Sequence, residues 1–110
     1  DIQIIAVEPS ASAVLSGASP APHKIQGIGA GFVPTVLDTT VYTKVITVSD
    51  ESAINTTVTL AHQGILCGIS SGANVYASQQ IAQCLGTGKH VVTTLCDSGE
   101  RYLSTGIFNR

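Results

Sequence analysis

From Val41 to Cys96 the sequence alternates short apolar runs with longer stretches of helical spacing, and this alternation restricts the fold more than any other feature. Val41 to Val48 alternates in polarity and is rich in β-branched residues, as a strand requires. Ser49 is placed to cap the helix after it. Asp50 and Glu51 fall in its first turn, where negative charge complements the helix dipole, and Ile54, Val58, Ala61 and Ile65 share one face. Gly64 is the stop signal. Ile65 to Ile69 then reads as a buried strand. Gly72 to Leu85 reads as a helix with Ala73, Ala77, Ile81 and Cys84 inward, broken by Gly86 and Gly88, and His90 to Cys96 as a further strand. A β-α-β-α-β order implies right-handed crossovers and a parallel sheet, so the expected class is α/β.

The residues before Val41 fit that frame. Ile2 to Val7 is a near-continuous apolar run, suited to a parallel strand covered on both faces, and Glu8-Pro9 ends it. Ser10 to Pro22 is rich in Ala, Ser, Gly and Pro and reads as a connection with a short helical turn at Ala11 to Leu15. In the segment from His23 to Pro34, glycines at 27, 29 and 31 leave a backbone that a ligand can approach closely. Gly27-x-Gly29-x-Gly31 lacks the dinucleotide spacing and Pro34 follows it in place of a helix start, so a plain flexible connector stands as the other reading.

Ligands of parallel sheets sit beyond the carboxyl ends of the strands, where Ser70, Ser98 and Gly99 are expected to gather. Ser70 or Ser71 could equally serve as the N-cap of the helix that follows. Taken singly, His23 and Lys24 read as solvated loop residues. His62, near the end of its helix, reads as a partner of free carbonyls, having no companion at metal-ligand spacing.

Among the 110 residues, 44% are hydrophobic and only 11% charged, a low charged share that implies surface facing other protein. The net charge of −2 and the scattered Lys and Arg residues give no footprint for nucleic acid or anionic membrane. Cys67, Cys84 and Cys96 are odd in number and widely spaced, so reduced, buried thiols are expected rather than disulfides or a zinc site. No apolar run has the length of a membrane span and the first residues lack a basic signal start, which suits a cytoplasmic location. Asp1 stands where Met is usual and leads directly into a strand, as in a chain cut from something longer.

Three segments in order, His23-Lys24-Ile25-Gln26-Gly27-Ile28-Gly29-Ala30-Gly31-Phe32, Gly68-Ile69-Ser70-Ser71-Gly72-Ala73 and Ser98-Gly99-Glu100-Arg101-Tyr102-Leu103-Ser104-Thr105, closely resemble the C-terminal third of cysteine synthase, O-acetylserine sulfhydrylase. The resemblance extends over essentially all of the chain. The first motif distinguishes that family from the related cystathionine β-synthases and threonine synthases. The resemblance implies part of a fold-type II (tryptophan synthase β-like) parallel-sheet domain that binds pyridoxal 5'-phosphate (PLP), with residues 1–110 its C-terminal portion. The implied activity is that of a homodimeric transferase of cysteine biosynthesis, making L-cysteine and acetate from O-acetyl-L-serine and sulfide by β-elimination and β-replacement.

By the same resemblance, Ser70 is the cofactor-binding residue, its hydroxyl directed at the pyridine nitrogen. Gln26, Gly27, Ile28 and Gly29 match the loop at the active-site mouth, and Ser98 and Gly99 the loop beside the cofactor ring. His23 and Lys24 match the rim that docks the C-terminal tail of serine acetyltransferase, and Leu66 a strand near a dimer-interface anion site in some members. Cys96-Asp97 departs from the Pro-Ser or Pro-Asp of many members. The family's Schiff-base lysine, Thr-Ser-Gly-Asn substrate loop and Gly-Thr-Gly-Gly-Thr phosphate cup match nothing here, and Lys24, Lys44 and Lys89 occupy none of their positions. These residues alone therefore supply no catalytic lysine and no metal site. The alternative reading is a non-catalytic fragment or homologue that binds the acetyltransferase tail, and a related PLP lyase is the third.

Overall fold

A computed structural model describes residues 1–109. Strand β1 (Ile5–Pro9) and strand β2 (Lys44–Val48) pair in parallel, with Ile5 opposite Lys44 and Pro9 opposite Val48. β1 begins three residues later than its apolar pattern suggests and runs on through Glu8 and Pro9, both buried. Glu8 is sheltered by specific donors: Leu15 N–H gives to its Oε1 at 2.8 Å and the Ser16 hydroxyl to its Oε2 at 2.6 Å. Those bonds fold the Ser10 to Ser16 connection, two short 3-10 turns, back over the strand end.

Helix α1 (Asp50–His62) forms where its capping signals place it, with Ser49 Oγ accepting from Ser52 N–H at 3.1 Å and Gly64 leaving the helical path at φ +89°. Ala53, Ile54, Thr57 and Val58 are its buried stripe. Ala61 is half-buried, while Ile65, expected on the same face, is exposed. Helix α2 (Ile69–Leu85) crosses α1 at Gly72, where any side-chain carbon would meet Thr57 Oγ1 and the Ala53 carbonyl. The two helices join β2 in one core of Ile25, Val48, Ala53, Ile54, Val58, Ile69, Ala73 and Ala77, to which Tyr102 and Ile107 add from the C-terminal 3-10 turns. Of the inward positions expected on α2, Ala73 and Ala77 are buried, Ile81 is half-buried and Cys84 is exposed.

Two expected strands do not form. Ile65 to Ile69 is not a parallel strand, because α2 takes over at Ile69 and the preceding residues instead form an isolated antiparallel bridge with Asp97 to Gly99. Gly68 N–H donates to the Asp97 carbonyl at 3.1 Å and Gly99 N–H to the Leu66 carbonyl at 3.2 Å. Gly99 permits this approach: a Cβ there would lie 2.8 Å from Leu66 Cδ1 and 2.9 Å from the Cys67 carbonyl oxygen. His90 to Cys96 is exposed and forms no regular element, without a ladder partner among the described residues. A strand exists through its neighbour, and here residues 90–93 line a cleft of about 580 Å³ together with Ile5 and Val7 of β1. Asn74 Nδ2 ties this stretch to α2, donating to the Thr94 carbonyl at 3.0 Å. The sheet is accordingly two-stranded among the described residues, within the α/β class.

Candidate functional site

Ser70 and Ser71 are not N-caps. Helix α2 starts one turn earlier than its sequence pattern suggests, Gly68 is the N-cap residue with no side-chain cap bond, and both serines lie buried in the first helical turn. Their hydroxyls have different surroundings. Ser71 Oγ accepts from Cys96 N–H at 3.0 Å, fastening the end of the His90–Cys96 stretch to the helix start. Ser70 is 4% exposed, yet its hydroxyl has no hydrogen-bond partner among the described residues. A side-chain hydroxyl left without a protein partner at a helix N-terminus is available to a ligand atom.

Gly27 stands opposite Ser70. A Cβ at Gly27 would come to 3.5 Å from Ser70 Oγ, and the residue's φ of +102° belongs to the region that favours glycine. On the other side, Ser98 and Gly99 reach the same helix start through the bridge to Leu66–Gly68, with Ser98 capping a 3-10 turn by accepting from Glu100 N–H at 3.3 Å. The structure thus brings Gly27, Ser70, Ser98 and Gly99 around the beginning of α2. Gln26 is exposed on the loop and Ile28 packs half-buried against the core. Beyond them the arc from Gly27 to Phe32 lines a cleft of about 500 Å³ with Val14, Leu15, Pro34 and Leu37.

His23 does not stand free as a solvated loop residue, whereas the Lys24 side chain is exposed as expected. His23 Nδ1 accepts from Ile25 N–H at 3.1 Å, and Nε2 lies 2.9 Å from the Gly29 carbonyl. Lys24 N–H donates to Asp50 Oδ1 at 3.0 Å while its side chain is exposed. Asp50 therefore anchors the loop as well as beginning α1, a link of 26 positions that no local pattern could signal.

Asp97 shapes this region through contacts that its residue type does not signal. The Tyr102 hydroxyl donates to its Oδ2 at 2.8 Å, with Arg101 Nη1 at 3.7 Å, while Oδ1 packs buried against Gly68 without a hydrogen-bond partner among the described residues. Burial, and then the bond to Asp97, push the Tyr102 phenol above its ordinary range. Burial likewise raises the Cys67 thiol, partly offset by its hydrogen bond with Ser71. All three cysteines are free thiols, but only Cys67 is buried; Cys84 and Cys96 are exposed, against expectation. Among the described residues no group of three or more His, Cys, Asp and Glu could hold a metal ion, and no helix is long and apolar enough to cross a membrane.

The residues present suit one end of PLP: an open hydroxyl at Ser70, a glycine backbone opposite it, and a wall at Ser98–Gly99. The family model of pyridoxal-phosphate dependent enzymes matches residues 1–97, and the chain belongs to this family. It is 52% identical over 110 residues to a cysteine synthase of Staphylococcus aureus, covering 99% of this chain and 36% of that protein. The crystal structure of cysteine synthase from Entamoeba histolytica superposes with a TM-score of 0.93 at 40% identity, covering 99% of this chain and 33% of that one. That of an O-acetylserine dependent cystathionine beta-synthase from Helicobacter pylori superposes with a TM-score of 0.89 at 42% identity, over 97% of this chain and 35% of the other. The chain thus spans about a third of the length of the relatives it matches.

Proposed function

We propose that these residues form the C-terminal part of the PLP-binding domain of a cysteine synthase, a cytoplasmic homodimer that makes L-cysteine and acetate from O-acetyl-L-serine and sulfide. The observation that carries the reading is the unpartnered hydroxyl of Ser70, a buried residue, facing Gly27 at the start of α2, where no side chain caps the helix. When bound, PLP supplies the electron sink for loss of acetate from the substrate's β-carbon. Ser70 Oγ would hold the pyridine nitrogen through a neutral hydrogen bond. A hydroxyl, unlike a carboxylate, does not keep that nitrogen charged, which favours expulsion of the leaving group over quenching of the carbanion.

Gln26, Gly27, Ile28 and Gly29 would place backbone beside the substrate, and Ser98 with Gly99 would wall the ring. The exposed Lys24 and the loop that His23 organises would form the rim for the C-terminal tail of serine acetyltransferase. The test is turnover of O-acetylserine with sulfide by the PLP-loaded enzyme and its Ser70→Ala and Ser70→Asp variants. Unchanged β-replacement in Ser70→Asp would count against the assigned hydroxyl.

The Helicobacter neighbour supports a second reading, in which the sulfur nucleophile is a larger thiol. Turnover of O-acetylserine with homocysteine exceeding that with sulfide would favour it.

A further inference from the structure

We propose that His23 is a positioning residue that sets the backbone of the Gln26–Gly29 loop opposite Ser70. The inference rests on the cofactor reading above for what that backbone serves, though not for the geometry itself.

The imidazole closes two turns at once. With Nδ1 accepting from Ile25 N–H at 3.1 Å, the ring proton of the neutral form resides on Nε2, which then donates to the Gly29 carbonyl at 2.9 Å. One side chain therefore links both ends of the Gln26–Gly29 turn, and a single tautomer satisfies both bonds. The space around it is closed. A Cβ on Gly29 would fall 2.7 Å from His23 Nε2, with Pro9 at the end of β1 also in the way. Gly29 holds φ +66° and Gly27 φ +102°, and within the turn Ile28, half-buried, is the side chain that packs against the core.

Its other anchors lie outside it: fully buried Ile25 in the core, the Lys24 N–H bond to Asp50, and the His23 ring. Ile25 and Asp50 secure the entry to the turn. Only His23, among these, reaches its exit at Gly29. Without the ring, Gly27 would be free to move from Ser70 while the core stays intact.

Amide hydrogen exchange with mass spectrometry, on PLP-loaded protein without substrate, tests this directly. His23→Ala is expected to raise exchange in residues 25–31 roughly tenfold or more while α1 and α2 keep theirs. The KM for the amino-acid substrate should rise roughly tenfold with a smaller effect on kcat, as for loss of about one or two hydrogen bonds that place a binding surface. His23→Asn, whose Oδ1 can stand in for Nδ1, should restore protection at Ile25 and leave the Gly29 side loose. If His23→Ala fails to fold, the His23→Asn comparison decides the matter alone, and uniform protection across 25–31 in it overturns the proposal. Unchanged exchange in a folded His23→Ala protein overturns it too. Faster exchange with unchanged KM sinks the positioning role toward substrate. If wild-type enzyme turns over no O-acetylserine, the cysteine synthase reading falls while the exchange result still decides whether His23 sets the loop.

Discussion

Gly27 faces the Ser70 hydroxyl across a gap that a single methyl group would fill: its Cβ would stand 3.5 Å from Ser70 Oγ. The two residues lie 43 positions apart, on a loop after β1 and in the first turn of α2. Ile25, two residues before Gly27, and Ile69, next to Ser70, are seated in the same core. The open side of Ser70 is thus a product of what Gly27 lacks.

Ser70→Ala should separate fold from function. Because the hydroxyl has no protein partner among the described residues, thermal stability of the cofactor-free protein should change by less than about 0.5 kcal/mol. Affinity for PLP should fall roughly 2- to 10-fold, the worth of one hydrogen bond, read by titration of the cofactor's absorbance. A large loss of apo stability would show that Ser70 holds the fold instead.

Gly27→Ala should destabilise by about 1–2 kcal/mol, because φ +102° is costly for a residue with a side chain. The methyl would lie at ordinary van der Waals distance from Ser70 Oγ and occupy the open side of that hydroxyl, so the amino-acid KM should rise more than stability alone explains. Urea unfolding and steady-state kinetics on the same preparation measure the two effects.

Gly72→Ala forces α1 and α2 apart at their crossing, with an expected cost of about 1–3 kcal/mol. Thr57→Ala should relieve it only in part, since the Ala53 carbonyl and Thr57 N remain in the path of the new methyl. A double-mutant cycle by equilibrium unfolding gives the coupling, and strict additivity would refute the contact.

Alkaline pH should weaken the fold through Cys67 and Tyr102. Both groups titrate higher in the folded protein than their ordinary values of 9.0 and 10.0. A raised folded value means stability that is fully present below the ordinary value and is lost as pH rises toward the folded one. Unfolding free energy should therefore be level with respect to these groups below about pH 8, fall first as Cys67 ionises in the unfolded chain, and fall further above pH 10. Tyr102→Phe should remove the later part of the slope and cost about 1 kcal/mol at neutral pH for the bond to Asp97.

Much of the frame was legible in the residues, because it depends on neighbours in sequence. Ser49, Asp50 and Gly64 define α1 through capping, charge and a left-handed stop, all decided within one or two turns. The motifs from His23 to Phe32, Gly68 to Ala73 and Ser98 to Thr105 identify the family by order and spacing. What the sequence pattern misjudged was the conversion of apolar runs into strands. Leu66–Gly68 looks like a strand until its partner proves to be Asp97–Gly99, running antiparallel, and His90–Cys96 has the composition of a strand with no ladder neighbour.

Alone, the sequence settled where the signals of α1 lie and to which family the chain belongs, since caps, glycine stops and motifs are local. Only the tertiary structure decided what each polar atom does: Ser71 accepts from Cys96 across 25 positions, Asp50 from Lys24 across 26, and Ser70 is left open. Adjacent serines of identical chemistry receive different roles because a hydrogen bond is assigned by distance and direction in space, and those are set by how the loops pack around the start of α2.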